Sequence, residues 1–257
     1  MTINRSTDPA IFAATAESLV ERVFGAVGAL REQVLACRAS ALMRREQLQS
    51  KHIAQLRPGL IRVLDEHQDI VVGMGLIVLP GLLPNERRRL EWWQYLPGRD
   101  EPSALQVDLN PESLGFYDYD NSEWFNVPRS TGRRHIMGPY VDAHGTDRYL
   151  LTFTVPVLAD GAFLGVVGAD VPVARLERHL LRAWALQGVG RHDNGVGEQV
   201  GEVGAQVMII NSHGRVVVSN YAGALSGDLL PGSAHPPSKR VDLTDVPWQL
   251  QYSLRRG

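Results

Sequence analysis

The chain has one cysteine, Cys37, in 257 residues, so no intrachain disulfide can form and a reducing compartment is permitted. It also lacks a charge imbalance. With 26 Lys and Arg against 28 Asp and Glu, the formal net charge is −2, which gives no electrostatic reason for a nucleic-acid or anionic-membrane partner. Long apolar runs are missing as well. The longest, residues 70–83, is broken by Gly73, Gly75, Pro80 and Gly81 and is too short to cross a bilayer. Residues 1–8 are polar and carry no apolar signal core. The expectation from these absences is a soluble, cytoplasmic protein without nucleic-acid or membrane partners.

The patterns that carry catalysis are absent too. The eight histidines are scattered, with no His-x-x-x-His pair and no Cys/His cluster. His144 has the oxygens of Asp142 and Asp147 nearby, without a second histidine or a cysteine. There is no Gly-x-Ser-x-Gly elbow, and Cys37 has no paired histidine motif. Gly195-Val196-Gly197 followed by Gly201 departs from the dinucleotide-binding spacing and follows no strand. No catalytic residue, no metal and no cofactor is expected.

What is present is an ordinary globular composition, 44% hydrophobic and 21% charged. Asp8-Pro9 reads as an N-cap and first helical residue. Leu19, Val20, Val23, Phe24, Val27, Leu30, Val34 and Leu35 then recur at helical spacing. The pattern weakens through Leu42, Leu48, Ile53 and Leu56 to Arg57-Pro58. It predicts one long amphipathic helix, or two in line, with a further short helix over 58–67. Its apolar stripe must be covered by the rest of the chain or by a second copy, so a homodimer through this helix is one candidate.

Beyond residue 68 the period changes. Residues 70–79 read as a buried strand, 85–95 as a helix carrying Trp92 and Trp93, and 105–108 and Tyr117 as strand-like. Residues 150–156 and 162–169 form an antiparallel pair around Leu158-Ala159-Asp160-Gly161. Residues 173–186 are helical, and 188–204 hold six glycines and read as a linker. A second hairpin, 206–210 with 215–219, turns at Asn211-Ser212-His213-Gly214, and 248–254 makes a last strand. The expected segments are therefore 9–67 helical, 68–187 the larger module, 188–204 linker and 205–257 a smaller module.

One stretch is specific. Phe116-Tyr117-Asp118-Tyr119, Trp124-Phe125, Pro128, Thr131-Gly132, Gly138-Pro139-Tyr140-Val141-Asp142, Tyr149, Thr152, Pro156-Val157 and Phe163-Leu164-Gly165-Val166-Val167-Gly168-Ala169-Asp170 together resemble the Cache family of sensor modules in bacterial chemoreceptors and sensor kinases. The resemblance is strong over about 70–185 and looser over 204–254. It implies an α+β fold: a long N-terminal helix followed by two PAS-like antiparallel-sheet modules, a double Cache, the second module smaller.

The resemblance also implies a pocket. In amino-acid-binding members a Tyr, an Arg-x-Trp-Tyr element and a late Asp clamp the ligand. Here Tyr117, Trp124, Phe125, Tyr140 and Asp170 fall on those positions, and Ser122 stands where the arginine would be. Without a guanidinium the bidentate grip on an α-carboxylate is lost. The remaining aromatic walls and carboxylate favour a cation. Asp142 and Tyr119 are lesser candidates, Asp142 with a structural reading beside the functional one; Trp92 and Trp93, on the expected helix, could line the pocket, with at least one of them packing. Taken singly, Trp124 and Phe125 also read as core, and Asp170 as a turn or helix-capping residue.

The expected function is a non-catalytic sensor for an amine, quaternary amine or amino-acid-like ligand. It would signal through a protein partner or a change in dimerisation. The alternative is a soluble amine-binding carrier, accessory to a catabolic pathway, with no signal output.

Overall fold

The computed structural model describes residues 8–143, 145–187, 205–230 and 239–254. The expected linker over 188–204 and the residue His144 lie outside them. Contacts divide the chain into two compact units, one of residues 21–172 and the other of residues 1–20 with 173–257.

Helix α1 runs over Pro9–Met43, and its first turn is capped by Asp8, whose Oδ1 accepts from the Ala10 amide at 3.0 Å. It ends earlier than its apolar spacing predicts. Arg45 adopts a left-handed conformation (φ 58°), and the Glu46 amide turns back to the Ala41 carbonyl at 2.9 Å. Two shorter helices follow, α2 (Ser50–Ala54) and α3 (Arg57–Glu66), the latter with proline in its first turn.

The larger unit is built on a six-stranded sheet of order β3-β2-β1-β6-β5-β4. Its strands are β1 (Gly73–Val78), β2 (Leu90–Gln94), β3 (Ser103–Ala104), β4 (His135–Val141), β5 (Tyr149–Ala159) and β6 (Ala162–Pro172), all paired antiparallel. Every residue of β1 is buried, as expected for a central strand covered on both faces. The β5–β6 hairpin turns where expected. Asp160 and Gly161 both take positive φ (51° and 75°), which matches the right-handed twist of the paired strands.

Three expectations are corrected here. Residues 85–95 do not form a helix, because Leu90–Gln94 is strand β2, paired with β1 through Gly75↔Trp92 and Met74↔Trp93. With so few apolar residues in that stretch, period 2 and period 3.6 cannot be separated, and tertiary pairing decides. The strand expected over 105–108 is displaced to Ser103–Ala104, and near Tyr117 there is only an isolated bridge between Asp108 and Phe116. Helix α4 (Glu123–Thr131) and strand β4 were not anticipated. Helix α4 begins after Ser122 and ends at Gly132 in a left-handed C-cap (φ 67°), and it packs over β4, β5 and β6.

The smaller unit contains helix α5 (Val173–Leu186) and a four-stranded sheet of order β8-β7-β10-β9. Its strands are β7 (Ala205–Asn211), β8 (Val216–Ser219), β9 (Lys239–Asp242) and β10 (Trp248–Leu254). Phe12 of α1 stacks on Tyr252 at 5.7 Å and meets the edge of Trp184 at 6.5 Å. Helix α5 thus groups with this sheet and not with residues 68–172. The chain is a mixed α/β protein with an N-terminal helix and antiparallel sheets. None of its described helices is long and apolar enough to cross a membrane.

Candidate functional site

Side chains directly opposite in an antiparallel sheet project from the same face. The register therefore sorts the six-stranded sheet into two faces. Asp170 on β6 lies opposite both Gly73 on β1 and Thr152 on β5. One step along, Gly75 pairs with Trp92 and with Gly168, and Gly168 pairs with Thr154. Asp170, Thr152, Thr154, Trp92 and Gln94 thus share one face, floored by three glycines.

Asp170 is the charged centre of this face. It is 5% exposed, and its Oδ1 accepts from the Thr152 hydroxyl at 2.8 Å. The same hydroxyl is 2.8 Å from the Tyr140 phenol oxygen, which makes a short chain Tyr140–Thr152–Asp170. Burial pushes the Asp170 carboxyl up to about 7. The Asp142 charge adds to that rise, while the Thr152 hydrogen bond and Arg148 oppose it. Tyr140 and Tyr117 are both held well above the usual phenol range, first by burial and then by the charges of Asp170 and Asp142. These two tyrosines, Asp142 and Asp170 therefore sit within one another's fields.

The aromatic wall is contiguous. Trp92, Tyr119, Trp124 and Phe125 form one buried cluster with Ile77 and Val166, and Tyr117, Tyr140, Met137 and Phe163 pack against it. Phe125 meets Tyr119, Trp124 and Phe163 edge-on at 5.5, 6.2 and 5.6 Å. Tyr119 is fully enclosed, and its hydroxyl donates to the Val78 carbonyl at 2.9 Å, which ties the wall to the end of β1. Tyr140 reaches the site past an irregularity in β4 between Met137 and Tyr140, where the register against β5 shifts.

Other expected site residues fall differently. Asp142 is buried but organises its own turn, accepting from the Thr146 amide at 2.8 Å and the Thr146 hydroxyl at 3.0 Å. Ser122 is half-buried at the N-cap of α4 and makes no side-chain cap bond. Trp93 is not with the others. It faces the opposite side of the sheet, donating its indole N–H to Glu91 at 2.8 Å beneath the Arg57 guanidinium, 3.9 Å from its ring. Alternation along β2 places Trp92 in the cluster instead.

Sequence reasoning missed Arg148, named Trp92 only beside Trp93 on an expected helix, and had Thr152 in the family pattern without a role in the site. Register gives the threonine its role, since it lies opposite Asp170 across a hairpin whose turn was recognised. Arg148 donates to the Tyr95 carbonyl at 2.7 Å, and burial lowers its pKa while Asp170 raises it. Other arginines are committed elsewhere. Arg88 grips Asp120 at 2.5 and 3.2 Å beside the rings of Phe116 and Tyr119, and Arg134 pairs with Glu21 at 2.6 Å. Arg129 and Arg133 are exposed. Among the described residues no group of three or more His, Cys, Asp or Glu could hold a metal ion.

Residues 62–178 match the family described as methyl-accepting chemotaxis protein-like, first PDC sensor domain. A curated relative is the methyl-accepting chemotaxis protein TlpQ of Pseudomonas aeruginosa, 31% identical over 102 residues; the match covers 38% of this chain and 14% of that receptor. Two solved structures share the fold. The ligand-binding domain of the Pseudomonas aeruginosa PAO1 amino acid chemoreceptor PctB, in complex with L-Arg, is 14% identical with a TM-score of 0.56, covering 95% of this chain and 91% of that one. That of PctC, in complex with GABA, is 15% identical with a TM-score of 0.55, covering 96% and 95%. Over residues 62–178 the chain is thus similar to the first PDC sensor domain of methyl-accepting chemotaxis protein-like sequences, a sensor domain of the Cache, PAS-like type.

Proposed function

We propose that this chain is a non-catalytic sensor that binds an amine, and that Asp170 is the counter-charge for the ligand's ammonium. The observation that carries this reading is a buried carboxylate with no salt bridge among the described residues. A buried ionised group is costly unless it is paired, and burial strengthens the pairing once it forms. Tyr117, Tyr140 and Trp124 supply aromatic faces nearby, each worth roughly 0.5–2 kcal/mol to a desolvated cation.

A plain α-amino acid suits the site less well. Ser122 offers its carboxylate no guanidinium, Arg88 and Arg134 are already paired, and Arg148 is anchored to a backbone carbonyl. The double-Cache arrangement, with the 205–254 sheet as a second PAS-like module, belongs to the same proposal. So does output through a protein partner or through dimerisation along α1.

Isothermal titration with primary amines, quaternary amines and α-amino acids tests the ligand class. Amines bind to wild type and not to Asp170→Asn. Binding of α-amino acids alone, lost when the α-carboxylate is removed, would sink the proposal and move the anchor to Arg148.

A further inference from the structure

The face that holds Asp170 carries a second, neutral set of polar groups. Four side-chain atoms on it are buried and make no hydrogen bond: Trp92 Nε1, Gln94 Oε1, Ser103 Oγ and Thr154 Oγ1. Folded proteins leave few such atoms, and each that is left calls for a reason. The register makes them neighbours. Ser103 lies opposite Gln94, Gln94 opposite Gly73, and Trp92 and Thr154 flank the Gly75–Gly168 pair.

The glycines bring these atoms close to the sheet. A Cβ on Gly73 would lie 3.0 Å from Trp92 Nε1 and 3.1 Å from Gln94 Cβ, and one on Gly168 would lie 3.0 Å from Thr154 Cγ2 and 3.5 Å from Trp92 Cη2. The indole therefore lies across a glycine floor, with its N–H above the strand that separates Gln94 from Asp170.

We propose that this set is a specificity subsite, in which Trp92, Gln94 and Thr154 recognise a neutral group that both accepts and donates hydrogen bonds at the far end of the amine, such as a carboxamide. The chemistry follows from the donors present. An indole N–H only donates and Gln94 Oε1 only accepts, so the ligand must offer an acceptor beside a donor. A carboxamide does so, and the Thr154 hydroxyl serves either side. A carboxylate end lacks the donor, a second ammonium lacks the acceptor, and an alkyl end lacks both. Spacing sets the length. Adjacent strands lie about 5 Å apart, so the indole N–H above Gly73 is about one strand from Asp170, the reach of two or three methylenes.

This inference rests on the amine reading of Asp170, and the test separates the two. The intact chain is titrated with 3-aminopropanamide and with 3-methylbutylamine, which has the same shape without the amide. Wild type binds the amide at least roughly tenfold more tightly, since unmade hydrogen bonds penalise the alkyl analogue. In Thr154→Val and Gln94→Leu the ratio falls toward one, while the ligand-free variants melt no lower than wild type because a buried unpaired group has gone. Equal binding of the two amines to wild type overturns the subsite and leaves the amine reading standing. Failure of both to bind at millimolar concentration overturns the amine reading and the subsite with it. A ratio unchanged in both variants, with the fold intact by melting, assigns the preference elsewhere and also overturns the subsite.

Discussion

The two faces of the six-stranded sheet are made by the same strands and differ in almost every property. On one face Leu76, Leu151, Phe153, Val167 and Ala169 are buried, and Phe153 meets Phe24 of α1 edge-on at 5.2 Å. Its central polar groups are joined: Trp93 donates to Glu91, and Glu91 accepts from Arg89 at 2.5 Å, which leaves Arg89 Nε as a buried atom without a hydrogen bond. On the other face stand glycines, threonines, Asp170, Gln94 and Trp92, with a buried carboxylate that has no salt bridge among the described residues and several buried polar atoms that make no hydrogen bond. Strand alternation keeps the two sets apart, so one face supplies stability and the other can hold groups that cost stability for the sake of recognition.

The largest expected effect lies on the packed face. Phe153→Ala removes a fully buried ring and leaves a cavity against Phe24, a loss of about 3–5 kcal/mol in chemical denaturation. Amine affinity, measured by titration where the variant is folded, stays at the wild-type value. A tenfold change in affinity from this substitution would break the separation of the two faces.

The next effect lies on the recognition face and depends on pH. Asp170 titrates at about 7 in the folded chain, above the usual range of an unfolded aspartate. Between about pH 4 and pH 7 the folded state keeps a proton that the unfolded state has lost. Stability therefore falls as pH rises across that window and levels off above it, by up to about 4 kcal/mol. Tyr117 and Tyr140 stay neutral throughout, because burial and the nearby carboxylates hold both phenols high. In Asp170→Asn, which keeps an oxygen for the Thr152 hydroxyl, this fall disappears from the pH–stability curve. An amine that needs the ionised carboxylate binds about tenfold more weakly per pH unit below 7 and evenly above it. Affinity that is flat from pH 5 to 8 would remove Asp170 from the ligand.

Much of this division was legible in the sequence, and the part that was not has a physical cause. The β5–β6 hairpin announced itself through Asp160-Gly161, and α5 was expected over the residues it occupies. The aromatic run and Asp170 carried the family resemblance, and the structure gathers Tyr117, Tyr119, Trp124, Phe125 and Tyr140 around one cluster. What escaped was set by partners distant in sequence. Strand β2 is a strand because β1 and β3 flank it, and its five residues have no period of their own. Thr152 matters because it lies opposite Asp170, and Trp92 because Gly75 and Gly168 leave room for its ring. Helix α4 could have been found from Ser122 at one end and Gly132 at the other, a capping pair of recognisable type.

The sharpest version of the comparison needs only two adjacent residues. A helix over 85–95 would have allowed Trp93 to line the site; the strand sends Trp92 there and Trp93 to the packed face. Trp93→Phe removes the indole bond to Glu91, but Arg89 still holds that carboxylate at 2.5 Å. Its cost is about 1 kcal/mol in denaturation, a single lost hydrogen bond, with the preference for 3-aminopropanamide over 3-methylbutylamine intact. Trp92→Phe removes an N–H that has no partner in the folded chain, so its stability changes little beyond the smaller ring, while the preference for the amide falls. The two substitutions are chemically identical and one position apart. If Trp93→Phe altered the preference and Trp92→Phe did not, β2 would have to present its faces the other way round, and the assignment of recognition to the Asp170 face would fail with it.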